Sequence, residues 1–161
     1  MPVAGPAGGA DDGAVVGSTT AAAGEGSTRS RAGARPDDAI GLQVRTQAPG
    51  AAPGAPVTVE LVVTNTSPVA CARALDLQLQ EIVLLDGSGA RVWGSDDCST
   101  ATSADTRTLA PGQVVVFPVT WDGRTSQPGC TAARTTPPPG SYVFRGRLDA
   151  RTTPDAPLTL G

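Results

Sequence analysis

The sequence has no histidine, and its twelve basic side chains are all arginine. Without histidine, Ser-His-Asp and Cys-His nucleophile systems are excluded, and so are histidine zinc ligands. Without lysine, no phosphate loop of the G-x-x-x-x-G-K-[ST] type can be written. No G-x-S-x-G turn occurs either. The three cysteines, Cys71, Cys98 and Cys130, are too few for a four-cysteine metal site, and no two of them form a C-x-x-C pair. The expectation is a protein that is not an enzyme, with no catalytic residues, no metal site and no cofactor.

Aromatic residues are equally scarce. All five (Trp93, Phe117, Trp121, Tyr142 and Phe144) fall between positions 93 and 144. Residues 1–39 contain none and consist mostly of Ala, Gly, Ser, Thr, Pro and Asp. Such a stretch cannot bury enough apolar surface to offset its ordering entropy. Residues 1–39 are therefore expected to be a disordered tether, and residues 40–161 the folded domain. Long hydrophobic runs are missing too. The longest, such as Val114-Val115-Val116-Phe117, are four residues, far short of the roughly 18 residues of a membrane span. No charged segment followed by an apolar one opens the chain, so no direct membrane insertion is expected from this sequence. A polar tether ahead of a cysteine-containing β domain is nevertheless the arrangement of envelope proteins. The expectation is an extracytoplasmic location, with an anchor or signal segment upstream of Met1.

Net charge is −3, with arginines scattered singly. A nucleic-acid partner would need them gathered on one face, and is not expected. The all-arginine usage and the excess of Ala, Gly and Pro point to a GC-rich genome, actinobacterial in kind.

What is present is alternation with a period of two. Ile40, Leu42 and Val44 share one face of a strand, and Val57, Val59, Leu61 and Val63 share another. Strands follow at about 79–85, at Arg91-Val92-Trp93 across the hairpin Asp86-Gly87-Ser88-Gly89, and near Thr106–Leu109. Val115, Phe117, Val119 and Trp121 form one face of a long strand, which Pro118 confines to an edge or a bulge. Tyr142, Phe144 and Leu148 face inward on the next, and Leu158 and Leu160 end the series. Residues 69–78 read equally as strand or helical turn. Seven or eight short strands separated by Gly/Pro turns make an all-β, antiparallel β-sandwich. Its expected core is Val59, Leu61, Phe117, Val119, Tyr142 and Phe144. Asn65-Thr66-Ser67 is expected to be a strand-ending turn, and Asp96-Asp97 a solvated one.

From Val57 to Leu148 the layout resembles a known bacterial family. The residues that carry the likeness are Val59-Glu60-Leu61-Val62-Val63-Thr64-Asn65-Thr66-Ser67, Asp86-Gly87-Ser88-Gly89-Ala90-Arg91-Val92-Trp93, Leu109-Ala110-Pro111-Gly112-Gln113, Val119-Thr120-Trp121-Asp122-Gly123 and Pro139-Gly140-Ser141-Tyr142-Val143-Phe144-Arg145-Gly146. They look like the Ig-like domain of the intracellular proteinase inhibitor (BsuPI) type. The resemblance implies an Ig-like sandwich and, for activity, protease inhibition through an exposed loop. Tyr142, which follows Pro139-Gly140-Ser141, resembles the tyrosine corner of such sandwiches, where the hydroxyl bonds back to the preceding loop.

Strand alternation carries the segments bearing all three cysteines to one end of the sandwich. A Cys71–Cys98 disulfide is expected, with Cys98–Cys130 as the rival pairing and a fully reduced chain as the third possibility. The long loop 122–140 is the expected interaction surface, through Trp121, Arg124, Gln127, Pro128 and Arg134. The function expected is a non-catalytic, extracytoplasmic interaction or structural module. It would be monomeric, carried on a stalk in the cell envelope, and would bind a protein or another envelope component. The alternative is a protease inhibitor acting through loop 122–140.

Overall fold

A computed structural model of the chain describes residues 33–34 and 37–161. The expected tether, 1–39, lies outside the described residues except for two short pieces. Gly33–Ala34 forms a two-residue strand, β1, and Asp37–Ala39 a 3-10 turn. The rest is strand and loop. The further strands are β2 (Ile40–Thr46), β3 (Gly50–Ala51), β4 (Val57–Asn65), β5 (Cys71–Ala74), β6 (Gln80–Leu85), β7 (Arg91–Gly94), β8 (Thr106–Leu109), β9 (Val114–Trp121), β10 (Gly140–Leu148), β11 (Arg151–Thr152) and β12 (Ala156–Leu160). The fold is all-β, as the alternation predicts. The ambiguous stretch 69–78 divides between β5 and a 3-10 turn at Leu77–Leu79. No helix among the described residues is long and apolar enough to cross a membrane.

The chain divides into two compact units. The smaller takes in residues 65–73 and 106–113 together with the segment that ends at Ile40. In it, β1 runs parallel to β5, Gly33 opposite Cys71 and Ala34 opposite Ala72. The expected turn at Asn65 organises this unit. Asn65 is fully buried. Its side chain donates to the carbonyls of Val69, at 2.8 Å, and Leu109, at 2.9 Å, and accepts from the backbone N–H of Ser67 at 2.9 Å. One amide thus closes the turn and ties it to β8.

The larger unit is the sandwich. One sheet has the order β9-β4-β2; the other has β3-β12-β10-β6-β7, with β11 pairing β10. Every pairing in the second sheet is antiparallel except β3 with β12. The two inner faces meet at three rings. Trp121 of the first sheet lies 6.2 Å from both Trp93 and Phe144 of the second, and Trp93 stands edge-on to Phe144 at 6.3 Å. Such tilted and T-shaped contacts add to the area that aromatic residues bury. Val59, Leu61, Ile82, Leu84, Leu148 and Leu158 are buried as well.

Four of the six expected core residues are buried: Val59, Leu61, Tyr142 and Phe144. Phe117 and Val119 are only half-buried, and the expectation is corrected there. Their phase on β9 is right, since Phe117 lies opposite Leu61 and Val119 opposite Val59. But β9 is the edge of its sheet, so its middle has a neighbour on one side only. The same edge position explains Pro118, which has no N–H to give a second partner strand. Trp121, at the end of that face, is the β9 residue that is fully buried.

Candidate functional site

The long loop after Trp121 is a braced structure. The indole N–H of Trp121 donates to the carbonyl of Arg124 at 2.9 Å. Gly123 turns the chain with a φ of +84°, and a Cβ there would come within 2.6 Å of the Gly54 backbone, so only glycine fits. Arg134 then closes the loop neck. Its guanidinium grips Asp122 with both forks, at 2.7 and 2.8 Å, while its Nε donates to the carbonyl of Thr125 at 2.9 Å. Burial pushes the Asp122 carboxyl up, but the hydrogen bonds from Arg134 and the Arg124 backbone outweigh it and hold the group below its ordinary value. Thr125 and Thr135 bond across the neck, amide to carbonyl at 2.7 Å and amide to hydroxyl at 2.9 Å.

Beyond the neck the loop docks on the sandwich. Strand β7 carries a bulge: Leu84 faces Trp93 and Leu85 faces Arg91, which leaves Val92 without a partner on β6. The Val92 carbonyl is taken up instead by the amide of Ser126 at 3.0 Å. The Ser126 hydroxyl accepts from the Gly94 amide and donates to Asp97 Oδ2 at 2.6 Å. Asp97 also pairs with Arg91. Asp97 is 4% exposed, so its reading as a solvated turn residue is corrected. Its neighbour Asp96 is exposed, with a carboxyl raised by partial burial and by the charge of Glu81.

The loop tip is tied covalently. Cys98 and Cys130 form a disulfide, their Cα atoms 4.9 Å apart. The rival pairing is the one that exists, and the expected Cys71–Cys98 bond is corrected. The reason lies in the docking of Ser126, which carries the following turn to the segment after β7. Cys71 is a buried free thiol, turned toward Ser67 Oγ, at 3.2 Å, and Asn65 Oδ1, at 3.4 Å. Both bridged cysteines are exposed. Cys130 follows Gly129 in the left-handed region, with φ of +55° and +81° respectively.

Of the expected interaction residues, Arg124, Gln127 and Pro128 are exposed, Trp121 is buried and Arg134 is occupied as a brace. The surface offered to a partner is therefore narrower than the sequence suggests. At its other end the loop is fixed by Tyr142, whose hydroxyl donates to the Pro138 carbonyl at 2.6 Å. Burial and the nearby Asp86 charge push that phenol up. Between the loop and the hairpin lies an open cleft of about 510 Å³, walled by Asp86, Arg91, Gln127, Thr136, Pro138 and Tyr142 among others. Its polar side chains can hold a ligand. No cluster of three or more metal-ligating side chains occurs among the described residues.

No protein-family model matches the chain. No curated protein sequence matches it. Among solved structures, a β-glucosidase of Erythrobacter marinus is similar over 76% of this chain and 15% of its own, at 16% identity and a TM-score of 0.48. The alkylpurine DNA glycosylase AlkC of Pseudomonas fluorescens is similar over 76% of this chain and 30% of its own, at 11% identity and 0.47. The sporulation control protein Spo0M of Bacillus subtilis is similar over 76% and 49%, at 16% identity and 0.43. This chain spans less than half the length of each, and likenesses of this size bear on neither activity nor partner.

Proposed function

We propose that this chain is a non-catalytic interaction module of the extracytoplasmic cell envelope, which presents loop 122–140 to a partner. Residues 1–39, read from their composition as a tether, would connect it to the surface. The observation that carries this reading is the exposed Cys98–Cys130 bridge, which fastens the tip of a loop already braced at its neck. Disulfides form and persist in oxidising compartments. A loop fixed in this way meets a partner with little ordering cost. The test is co-sedimentation of the purified, oxidised chain with washed envelopes of its native organism. Retention is expected for the natural chain and lost when Arg124, Gln127 and Pro128 are all replaced by alanine. Equal retention of both would sink the proposal.

The same bracing supports a second reading, a protease inhibitor, because a loop held at both ends can fill a cleft without being cut. A panel of serine, cysteine and metalloproteases decides between them. No inhibition at micromolar concentration removes the second reading.

A further inference from the structure

We propose that the cleft between loop 122–140 and the Asp86 hairpin binds a neutral, hydroxyl-rich ligand, namely a short stretch of oligosaccharide. The inference rests on the reading of this loop as an interaction surface and gives that surface a ligand class. The volume of about 510 Å³ falls within the ~300–1,000 Å³ of small-molecule sites. A second cleft of about 360 Å³ adjoins it, sharing Asp86 and Tyr142 as a common wall. Both clefts therefore present Asp86 and Tyr142 to a bound chain.

The wall carries polar groups that are fixed in place but only partly engaged. Side-chain hydrogen bonds to Asp86, from the Ser88 amide, the Ser88 hydroxyl and the Ala90 amide, all end on Oδ1. Oδ2 receives none. Those bonds, the Ser88 hydroxyl foremost, hold the carboxyl below its ordinary value, so it is ionised. Arg91 donates from Nη2 alone, to Glu81 and Asp97. Its Nε and Nη1 make no hydrogen bond among the described residues, though the side chain is anchored. Gln127 and Thr136 are exposed and their side chains make no hydrogen bond among the described residues. The cleft thus offers a set acceptor, set donors and two groups that can do either.

Elimination narrows the ligand. An anion meets the ionised Asp86, while the Arg91 charge is already matched by Glu81 and Asp97. A metal cation finds one carboxylate in the lining, Asp86, and no cluster of three or more metal-ligating side chains occurs among the described residues. An apolar ligand would cover Asp86 Oδ2 and the guanidinium N–H groups without partners, which costs free energy. Paired hydroxyls donate to Asp86 and accept from Arg91 in one arrangement, and the C–H face of a sugar ring suits Pro138 and Val92. A peptide added as a further strand would need an open sheet edge. Here the bulge carbonyl of Val92 is already bonded to Ser126.

The experiment is calorimetric titration of the full, oxidised chain with cellotetraose, xylotetraose, mannotetraose and chitotetraose. At least one is expected to give a saturable isotherm. Asp86→Asn, whose Oδ1 can still accept from Ser88 and Ala90, is expected to weaken it by tenfold or more, and so is the pair Gln127→Ala with Thr136→Val. Both variants are expected to stay folded, Asp86→Asn with a somewhat lower melting temperature because its bonds from Ser88 and Ala90 lose their charge. The proposal is overturned by silence from all four sugars, by an isotherm unchanged in both variants, or by displacement of the sugar by an uncharged serine–glycine peptide. Envelope retention that persists while the sugars stay silent marks a failure of the ligand class alone; loss of both marks a failure of the interaction reading.

Discussion

The hydroxyl of Ser126 donates to Asp97 Oδ2 at 2.6 Å, across 29 residues of sequence. That bond, with the Ser126 amide on Val92, is what turns an irregular segment into a fixed surface. Asp97 is the buried member and serves both Ser126 and Arg91. Asp97→Ala is expected to cost about 3 kcal/mol, since it removes hydrogen bonds to a charged group and leaves buried donors unsatisfied. Ser126→Ala, which removes the neutral partner, is expected to cost about half as much. Urea unfolding of both variants checks the order; equal and small losses would mean that the loop is held elsewhere.

The ring cluster predicts a contrast between two phenylalanines. Phe144 is fully buried between Trp93 and Trp121, and Phe144→Ala is expected to cost about 3–5 kcal/mol. Phe117 is half-buried on the edge strand β9, and Phe117→Ala is expected to cost about 1.5 kcal/mol. Chemical denaturation of the two variants reads this directly. A larger loss at Phe117 would place the centre of the core at the wrong end of β9.

Asp96 predicts a pH dependence. Partial burial and the neighbouring Glu81 raise its carboxyl in the folded chain, so the ionised form is disfavoured by folding. Above the folded value its charge therefore lowers stability, and below the unfolded value that burden is gone. Asp96→Asn is expected to raise the melting temperature at neutral pH, with the gain fading as pH falls through the carboxylate range. A loss at neutral pH would show that the weak contact with Arg147 at 3.8 Å outweighs burial, and a gain constant with pH would show that the Asp96 charge is not its cause.

How much of this was legible in the sequence differs from element to element. The strands were, because Val57, Val59, Leu61 and Val63 alternate without interruption, and because Asp86–Gly89 and Pro111-Gly112 punctuate them. Pro118 narrowed β9 to an edge or a bulge, and the sheet order shows the edge. The half-exposure of Phe117 and Val119 was not, since alternation reports which face a residue occupies but not whether its strand has a neighbour on both sides. Asp97 was misread for a related reason. Beside Asp96 and Cys98 it has the look of a solvated loop, and its burial comes from a segment that arrives about 30 residues later. The partner of Cys98 turned on the same event. Strand order can bring three cysteines toward one end, but the pairing is decided by how loop 122–140 folds back on the bulge at Val92, which no local pattern encodes.

The bridge itself closes a separation of 32 residues, and on the chain-entropy model a loop of that size is worth about 3.7 kcal/mol. Its state in the cell tests the whole account. The chain would be taken from its native cells under acid quench, unfolded, alkylated without reduction and weighed intact. One alkyl group, on Cys71, with Cys98 and Cys130 still joined, is the predicted result. Three alkyl groups would place the chain in a reducing compartment with its loop untied, and would contradict the proposed extracytoplasmic role.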